Sequence, residues 1–416
     1  MFTGLAKVST ILALAFASAV PASARVEGGK VCKSCIVPSS DQERSDLIAN
    51  AVTLVPAKRE GRSLIEGPEQ KKQKFAFDQE IRCKFVEPDP TDPPNGKTPK
   101  FDCELEIDGK LKDVKVKYEN PGRGADGISV ERNDGIWGEI LSTRLMWALG
   151  FPADAVYPVR VVCENCPVRP WAYTVAKLRG LPAAETMPRR DLYVRDAIIE
   201  IKYKARGIER IADQGWSWEE FDSVARGELR AERDALALLA AFIQHVDNKP
   251  EQQRLVCLED DGVEGPGARC SKSALMLQDV GFTFGQGHVP VSDALAPDEQ
   301  KRLKSHYRAL GTASLRGFAA APVWSDKKAC VTHVAYYSHT GSPANKRVSE
   351  AGRRLLAERL SALTDLDLAD LFKVARLEHR REMIEEGGTL RVVTSADWIR
   401  AFKAKVREVT EHHCPE

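Results

Sequence analysis

Residues 244–253 read QHVDNKPEQQ, and residues 275–285 read LMLQDVGFTFG. The first stretch follows "ERDALALLAAFIQHV", in which Leu236, Leu239, Ala240 and Ile243 recur at helical spacing, so a buried helix runs straight into the loop at Asp247. The second is an apolar strand that ends in Asp279, with Gly281 two residues on. Taken alone, Asp-Asn-Lys-Pro is an ordinary helix-ending turn and Asp-Val-Gly an ordinary strand exit. Two carboxylates at the ends of two such elements raise a sharper question: whether they share a metal and a phosphate.

Toward the N-terminus the pattern turns to sheet. "QEIRCKFVEP" and "FDCELEIDGK" alternate, and in the second Phe101, Cys103, Leu105 and Ile107 share one face. The Pro- and Gly-rich "DPTDPPNGKTPK" between them is a loop. Asp108-Gly109 signals a hairpin turn into a third strand, "DVKVKYEN". After a Gly-rich linker, a helix is expected from about Ile136 to Leu149, closed by Gly150. "AVYPVRVVC" supplies more sheet. Downstream, "RLVCLED" and "ALMLQDVG" read as two strands, and from Ser349 three helical patterns dominate: "SEAGRRLLAERLSAL", "LDLADLFKVARLE" and "SADWIRAFKAKVREV". The fold class expected from this pattern is α+β, with a small antiparallel sheet and one helix followed by a larger, mostly helical part. There are no internal repeats.

The loop His245-Val246-Asp247-Asn248-Lys249-Pro250-Glu251-Gln252 resembles the catalytic loop of protein kinases, H-R-D-L-K-P-E-N, at His, Asp, Lys, Pro and Glu, with Gln252 at the Asn position. "LQDVGFTFG" resembles the metal-binding D-F-G step, and its longer ending is similar to the corresponding stretch of phosphoinositide-kinase-like enzymes. "VKVK", ending at Lys117, resembles the strand V-A-I-K, and Glu139 resembles the helix Glu that pairs with that Lys. The order of these motifs is that of the protein-kinase-like fold, and the chain is distantly similar to HipA-like and secretory-pathway kinases. The resemblance covers short motifs over roughly residues 80 to 290. It implies a two-lobed fold, with a leader at 25–75, an N-lobe at 76–165 and a C-lobe at 166–416. The departures are specific: no G-x-G-x-x-G precedes Lys117, Val280 stands for Phe, Gln252 for Asn, and no Arg precedes Asp247.

The chemistry that the resemblance implies is ATP- and Mg²⁺-dependent (or Mn²⁺-dependent) transfer to an unidentified hydroxyl-bearing acceptor, a protein, a glycan or a small molecule. Such transfer needs charge neutralisation and in-line positioning more than covalent help. Lys117 is expected to reach the nucleotide phosphates, with Glu139 fixing its position. Asp279 and the Gln252 amide oxygen are the expected metal ligands. Asp247 is expected to accept the acceptor's proton, with Lys249 neutralising charge on the transferring group. Gly281 is expected to allow a sharp turn after the strand. Lys115, on the same strand face, competes with Lys117, and Glu139 has an alternative role at the positive end of its helix. A catalytically silent binding module and a nucleotidyl transferase are the alternative functions.

Compartment is read from the first residues. "MFTGLAKVSTILALAFASAVPASA", residues 1–24, has one Lys, an apolar run from Ile11 to Val20 and Ala22-Ser23-Ala24, the layout of a secretory signal peptide. A periplasmic or secreted protein is expected, with no integral membrane segment. Lys+Arg 61 against Asp+Glu 60 gives no broad electrostatic reason to expect nucleic acid. The ten cysteines read as disulfides in an exported chain. Cys83 with Cys103, Cys257 with Cys270 and Cys330 with Cys414 are the natural neighbours. The CxxC cysteines Cys32, Cys35, Cys163 and Cys166 read as structural bridges whose connectivity is left open, with the four ligands of a zinc site as the alternative. Trp216 and Trp218 read as buried anchors before a ligand platform. No HExxH or GxSxG exists, so a hydrolase has no support.

Overall fold

The structure is a computed structural model. It describes residues 34–55, 61–68, 75–90, 98–107, 109–119, 131, 133–210, 214–224, 228–263, 267–285, 297–302, 311–334, 343–387 and 389–415. The expected signal peptide and Cys32 lie outside the described residues. Helix α1 (Asp41–Ala49) comes first, then β1 (Glu80–Phe85), β2 (Lys100–Ile107) and β3 (Lys110–Glu119). Helix α2 (Gly135–Leu149) and β4 (Ala155–Pro167) follow, then α3 (Pro170–Leu178) and β5 (Arg189–Ile201). The five strands close into a barrel in the order β1-β2-β3-β5-β4. β1 runs parallel to β4, and the other barrel pairs are antiparallel.

Alternation decides which face of each strand points inward. Phe101, Cys103, Leu105 and Ile107 all enter the barrel core, as their shared face predicts, and meet Val114, Val116 and Tyr118 from β3. The intervening residues of β3, Lys115 and Lys117, therefore lie on the outer face, beside α2. Sheet expected to end near residue 165 continues, because β5 is a full barrel member lying between β3 and β4. Its charged start, "RRDLYVRD", hides the apolar run "AIIEI" from a pattern search.

The second and larger apolar cluster gathers α2, α5 (Glu228–Phe242) and the C-terminal helices α7 (Glu350–Ser361), α8 (Asp365–Val374) and α9 (Ser395–Thr410). Between them lie β6 (Arg206–Gly207), α4 (Trp218–Val224), a hairpin of β7 (Gln253–Asp260) and β8 (Cys270–Leu277), and α6 (Leu315–Ala320). Fourteen of the fifteen α2 residues are buried, so this helix is the shared wall between the barrel and the larger cluster. Gly150 closes it in the left-handed region at φ 84°. The capping boxes Thr364/Asp367 and Thr394/Asp397 start α8 and α9. Trp216 and Trp218 are 0% and 1% exposed and meet edge to face, which makes them core anchors.

The segment before the barrel differs from the expected exposed leader. Ile36, Ile48, Ala51 and Leu64 belong to the larger core, and Val52 exchanges backbone hydrogen bonds with Ser273 and Leu275 on β8. Its high charge describes the outer face of α1, while a few well-spaced apolar residues are enough to dock it.

The three neighbour disulfides form as expected: Cys83–Cys103, Cys257–Cys270 and Cys330–Cys414. Cys163 and Cys166 bridge each other and Cys35 is disulfide-bonded, which rules out a four-cysteine zinc site. There is no free cysteine among the described residues. Bridges of this number fit an oxidising compartment. No described helix is long and apolar enough to cross a membrane. Cys257–Cys270 clips the β7–β8 hairpin that carries Asp279, with a sequence separation of 13. Replacing both cysteines by Ser is expected to lower stability by about 3 kcal/mol, the loop entropy released to the unfolded chain. Urea denaturation of the double variant beside the native chain measures it, and a loss near zero rejects a structural role for the bridge.

Candidate functional site

Lys117 sits on the outer face of β3, where β5 lies alongside. Its ammonium is 2.7 Å from Glu139 Oε1 on α2, 3.1 Å from Glu200 Oε2 on β5 and 3.6 Å from Asp279 Oδ1 after β8. Lys117 and Glu139 are 7% and 4% exposed, so their pairing replaces hydration that burial removes. Glu139 therefore pairs across elements and does not act as a helix-end charge. Burial alone would depress the Lys117 ammonium, but the carboxylates of Glu139, Glu200 and Asp279 outweigh it and hold the group well above its ordinary value. Burial, opposed by Lys117 and reinforced by Glu200 and Asp279, pushes the Glu139 carboxyl up to about 7. Glu200 is buried too, yet Lys117 and Lys202 together hold it well below the usual carboxylate range.

The Asp247 loop faces this cluster. Lys249 Nζ donates to both Asp247 oxygens, at 3.0 and 3.2 Å, and Gln252 Nε2 donates to Asp247 Oδ2 at 3.3 Å. Three backbone bonds set the loop against the strand that ends at Asp279: Gln278 N–H to Gln252 O, Val246 N–H to Phe282 O, and Phe284 N–H to Ile243 O. Asp279 itself lies at φ 48°, a left-handed conformation that Asp tolerates better than most residues. Its side chain is 44% exposed. His245, the residue that matches the kinase loop, is fully buried with neither ring nitrogen hydrogen-bonded, and burial pushes it down to about 4. It is a neutral packing residue at physiological pH.

The chain turns at Gly281, as expected, but the glycine is required there for a different reason. It does not fall in the left-handed region, and a Cβ there would stand 2.9 Å from Gly135 O. A Cβ on Gly138 would stand 2.2 Å from Gly281 O. The glycines let α2 lie directly on the Asp279 turn. Thr283 adds a hydroxyl contact to Ser142 at 2.7 Å on the same helix. The position of Glu139 is thereby tied to that of Asp279.

All six candidates from the sequence, Lys117, Glu139, Asp247, Lys249, Gln252 and Asp279, line one cleft of about 330 Å³. Lys115 does not line it. The sequence reading missed Glu200 and Lys100, and Lys100 also lines the cleft. Both follow from strand register: Lys117 lies opposite Ile198, so Glu200 is its diagonal neighbour, and Lys100 lies directly opposite Lys117 on β2. A lone Glu inside "AIIEI" was the available signal, since a carboxylate buried in a strand needs a cation. Beyond Glu200 the network continues to Lys202, which also binds Asp154 at 3.2 Å.

No family model and no curated protein matches the chain. Among solved structures, the chain is similar to one described as the crystal structure of a Helicobacter pylori proinflammatory kinase CtkA. The match is 9% identical, covers 79% of this chain and 98% of that chain, and has a TM-score of 0.31. A likeness of that size assigns no role to any residue.

Proposed function

We propose that this chain is an exported phosphotransferase of two-lobed, kinase-like fold that uses ATP and Mg²⁺ (or Mn²⁺) to phosphorylate a hydroxyl. One observation carries the reading: six residues from four separate stretches, singled out by motif order, meet in one cleft around a buried ammonium. Phosphoryl transfer asks for this collection of fixed charges.

The donor set suits a hard divalent cation. Asp279 offers a half-exposed carboxylate, and with the Gln252 amide nitrogen engaged on Asp247, its carbonyl oxygen is the atom left to coordinate. Bound metal would supply charge neutralisation for the nucleotide phosphates. Lys117, held by Glu139 and Glu200, binds phosphate oxygens without having to be ordered first. Asp247 orients the acceptor hydroxyl and takes its proton. Lys249 keeps that carboxylate in place and adds positive charge near the reacting group. The chain also has a second cavity, of about 400 Å³. Its lining includes Gln253 and Gln278, chain neighbours of Gln252 and Asp279, and Lys202.

The decisive experiment offers ATP labelled at the γ- or the α-phosphate, with Mg²⁺, to candidate acceptors and to the protein itself. Transfer of the γ-label alone is the expected result. Transfer of the α-label would make the protein a nucleotidyl transferase. No transfer and no nucleotide binding at millimolar Mg²⁺ would reduce it to a silent module.

A further inference from the structure

Arg144 follows Glu139 on α2 by five residues, about 140° further round the helix, and does not line the cleft. It is 1% exposed, and its Nε and Nη1 are buried without a hydrogen bond. No carboxylate of the described residues faces it. Its neighbours are the Tyr157 ring, 5.4 Å from its central carbon, and a second cation, Arg62. Gly67, in the left-handed region at φ 69°, lies against the guanidinium: a Cβ there would stand 1.9 Å from Nη1. Arg62 Nε donates to the Gly67 carbonyl at 2.8 Å, and Gly67 N–H donates to the Ser63 carbonyl at 3.1 Å. The Tyr157 hydroxyl donates to the Pro68 carbonyl at 2.7 Å. The 63–67 turn is thereby held as a cover on Arg144.

Burial, helped by the Arg62 charge, pushes the Arg144 guanidinium down to about 10, so it remains a cation at neutral pH. A buried cation without a counter-charge is costly, and an anion relieves the cost. The fork of a guanidinium matches the paired oxygens of a tetrahedral oxyanion. An anion that displaces the turn uncovers Nε and Nη1 of Arg144. It also frees Arg62 from the Gly67 carbonyl, so that two guanidinium groups become available to it.

We propose that Arg144 and Arg62 form an oxyanion site, separate from the cleft and gated by the 63–67 turn, that takes a phosphate-like anion. The site is on the helix that holds Glu139 against Lys117, so an anion bound there acts on an element of the cleft. The inference does not depend on the phosphotransferase reading, and neither one falls with the other.

Thermal unfolding of the full, disulfide-bonded chain tests it, with inorganic phosphate raised from zero to about 50 mM and chloride keeping the ionic strength constant. The native midpoint is expected to rise by about 2 °C or more, because an anion that binds only the folded chain stabilises it. Arg144→Met should be at least as stable as the native chain without phosphate, since it removes a buried charge that has no partner. It should gain none of the site-specific rise. Arg62→Met changes a half-buried residue and should lose at least half of that rise; it carries the test alone if Arg144→Met does not fold. Phosphate bound at Lys117, or excluded from the surface at large, stabilises native and variant chains alike. A native midpoint indifferent to phosphate, or a rise that survives undiminished in either variant, overturns the inference.

Discussion

Asp247→Ala is expected to lower turnover by about 10² or more while leaving Mg²⁺-ATP affinity nearly unchanged, the contribution of a positioned proton acceptor. Asp279→Ala is expected to abolish Mg²⁺-dependent nucleotide binding. The two carboxylates differ in when they act. A metal ligand at Asp279 is engaged as soon as the phosphates arrive, so its loss is felt in the ground state. A proton acceptor at Asp247 is engaged only as the hydroxyl attacks, so its loss appears in the transition state. The structure suits the division: Asp279 is half exposed beside Lys117, while Asp247 is held from both sides by Lys249 and Gln252. Those donors hold the Asp247 carboxylate in a fixed orientation. Nucleotide titration of each variant beside a label-transfer assay separates the effects. Asp247→Ala with full turnover removes Asp247 from the mechanism, and Asp279→Ala with unchanged Mg²⁺-ATP affinity removes Asp279.

What could be read in the chain beforehand divides along a physical line. Asp247, Lys249, Gln252 and Asp279 sit in two short local stretches, and their order with Lys117 and Glu139 is a property of the sequence itself. All six meet in space. Glu200 and Lys100 take their places from cross-strand register, which is set by the pairing of β2, β3 and β5. No window along the chain contains that pairing. The role of Gly281 was misread for a related reason: its missing Cβ is required by the approach of α2, nearly 150 residues upstream, as judged by Gly135 O at 2.9 Å. The burial of Ile36, Ile48 and Leu64 was likewise hidden, because a charged segment reveals its average and not the face it docks. The disulfides are the converse case, where closeness along the chain and an expected oxidising compartment sufficed for Cys257–Cys270.

Lys117→Met is expected to destabilise the fold by about 3–5 kcal/mol at neutral pH, in addition to abolishing phosphate binding, because it strands buried carboxylates. Glu139 is 4% exposed and pairs with Lys117 Nζ at 2.7 Å. Glu200 keeps Lys202, so the larger share of the penalty falls on Glu139. The sign of the pH dependence follows from the Glu139 carboxyl, already pushed up to about 7 in the native chain. A carboxyl whose folded value lies above its unfolded value favours the folded state while protonated. Its contribution is fully present below the unfolded value near 4.5 and is lost as pH rises through about 7. Removing Lys117 takes away the charge that pulls Glu139 down, so the folded value rises further and the loss extends to higher pH. The gap between native and variant stability should therefore be widest above about pH 8 and shrink toward about pH 5, where Glu139 is neutral in both. Adding Glu139→Gln should recover much of the loss and flatten its pH dependence, since the neutral amide needs no counter-charge. Urea denaturation of the native chain, Lys117→Met and Lys117→Met/Glu139→Gln across that range measures all three quantities. A penalty that is the same at both ends of the range, or that the second substitution does not relieve, would show that Lys117 is not what keeps the Glu139 charge inside the protein.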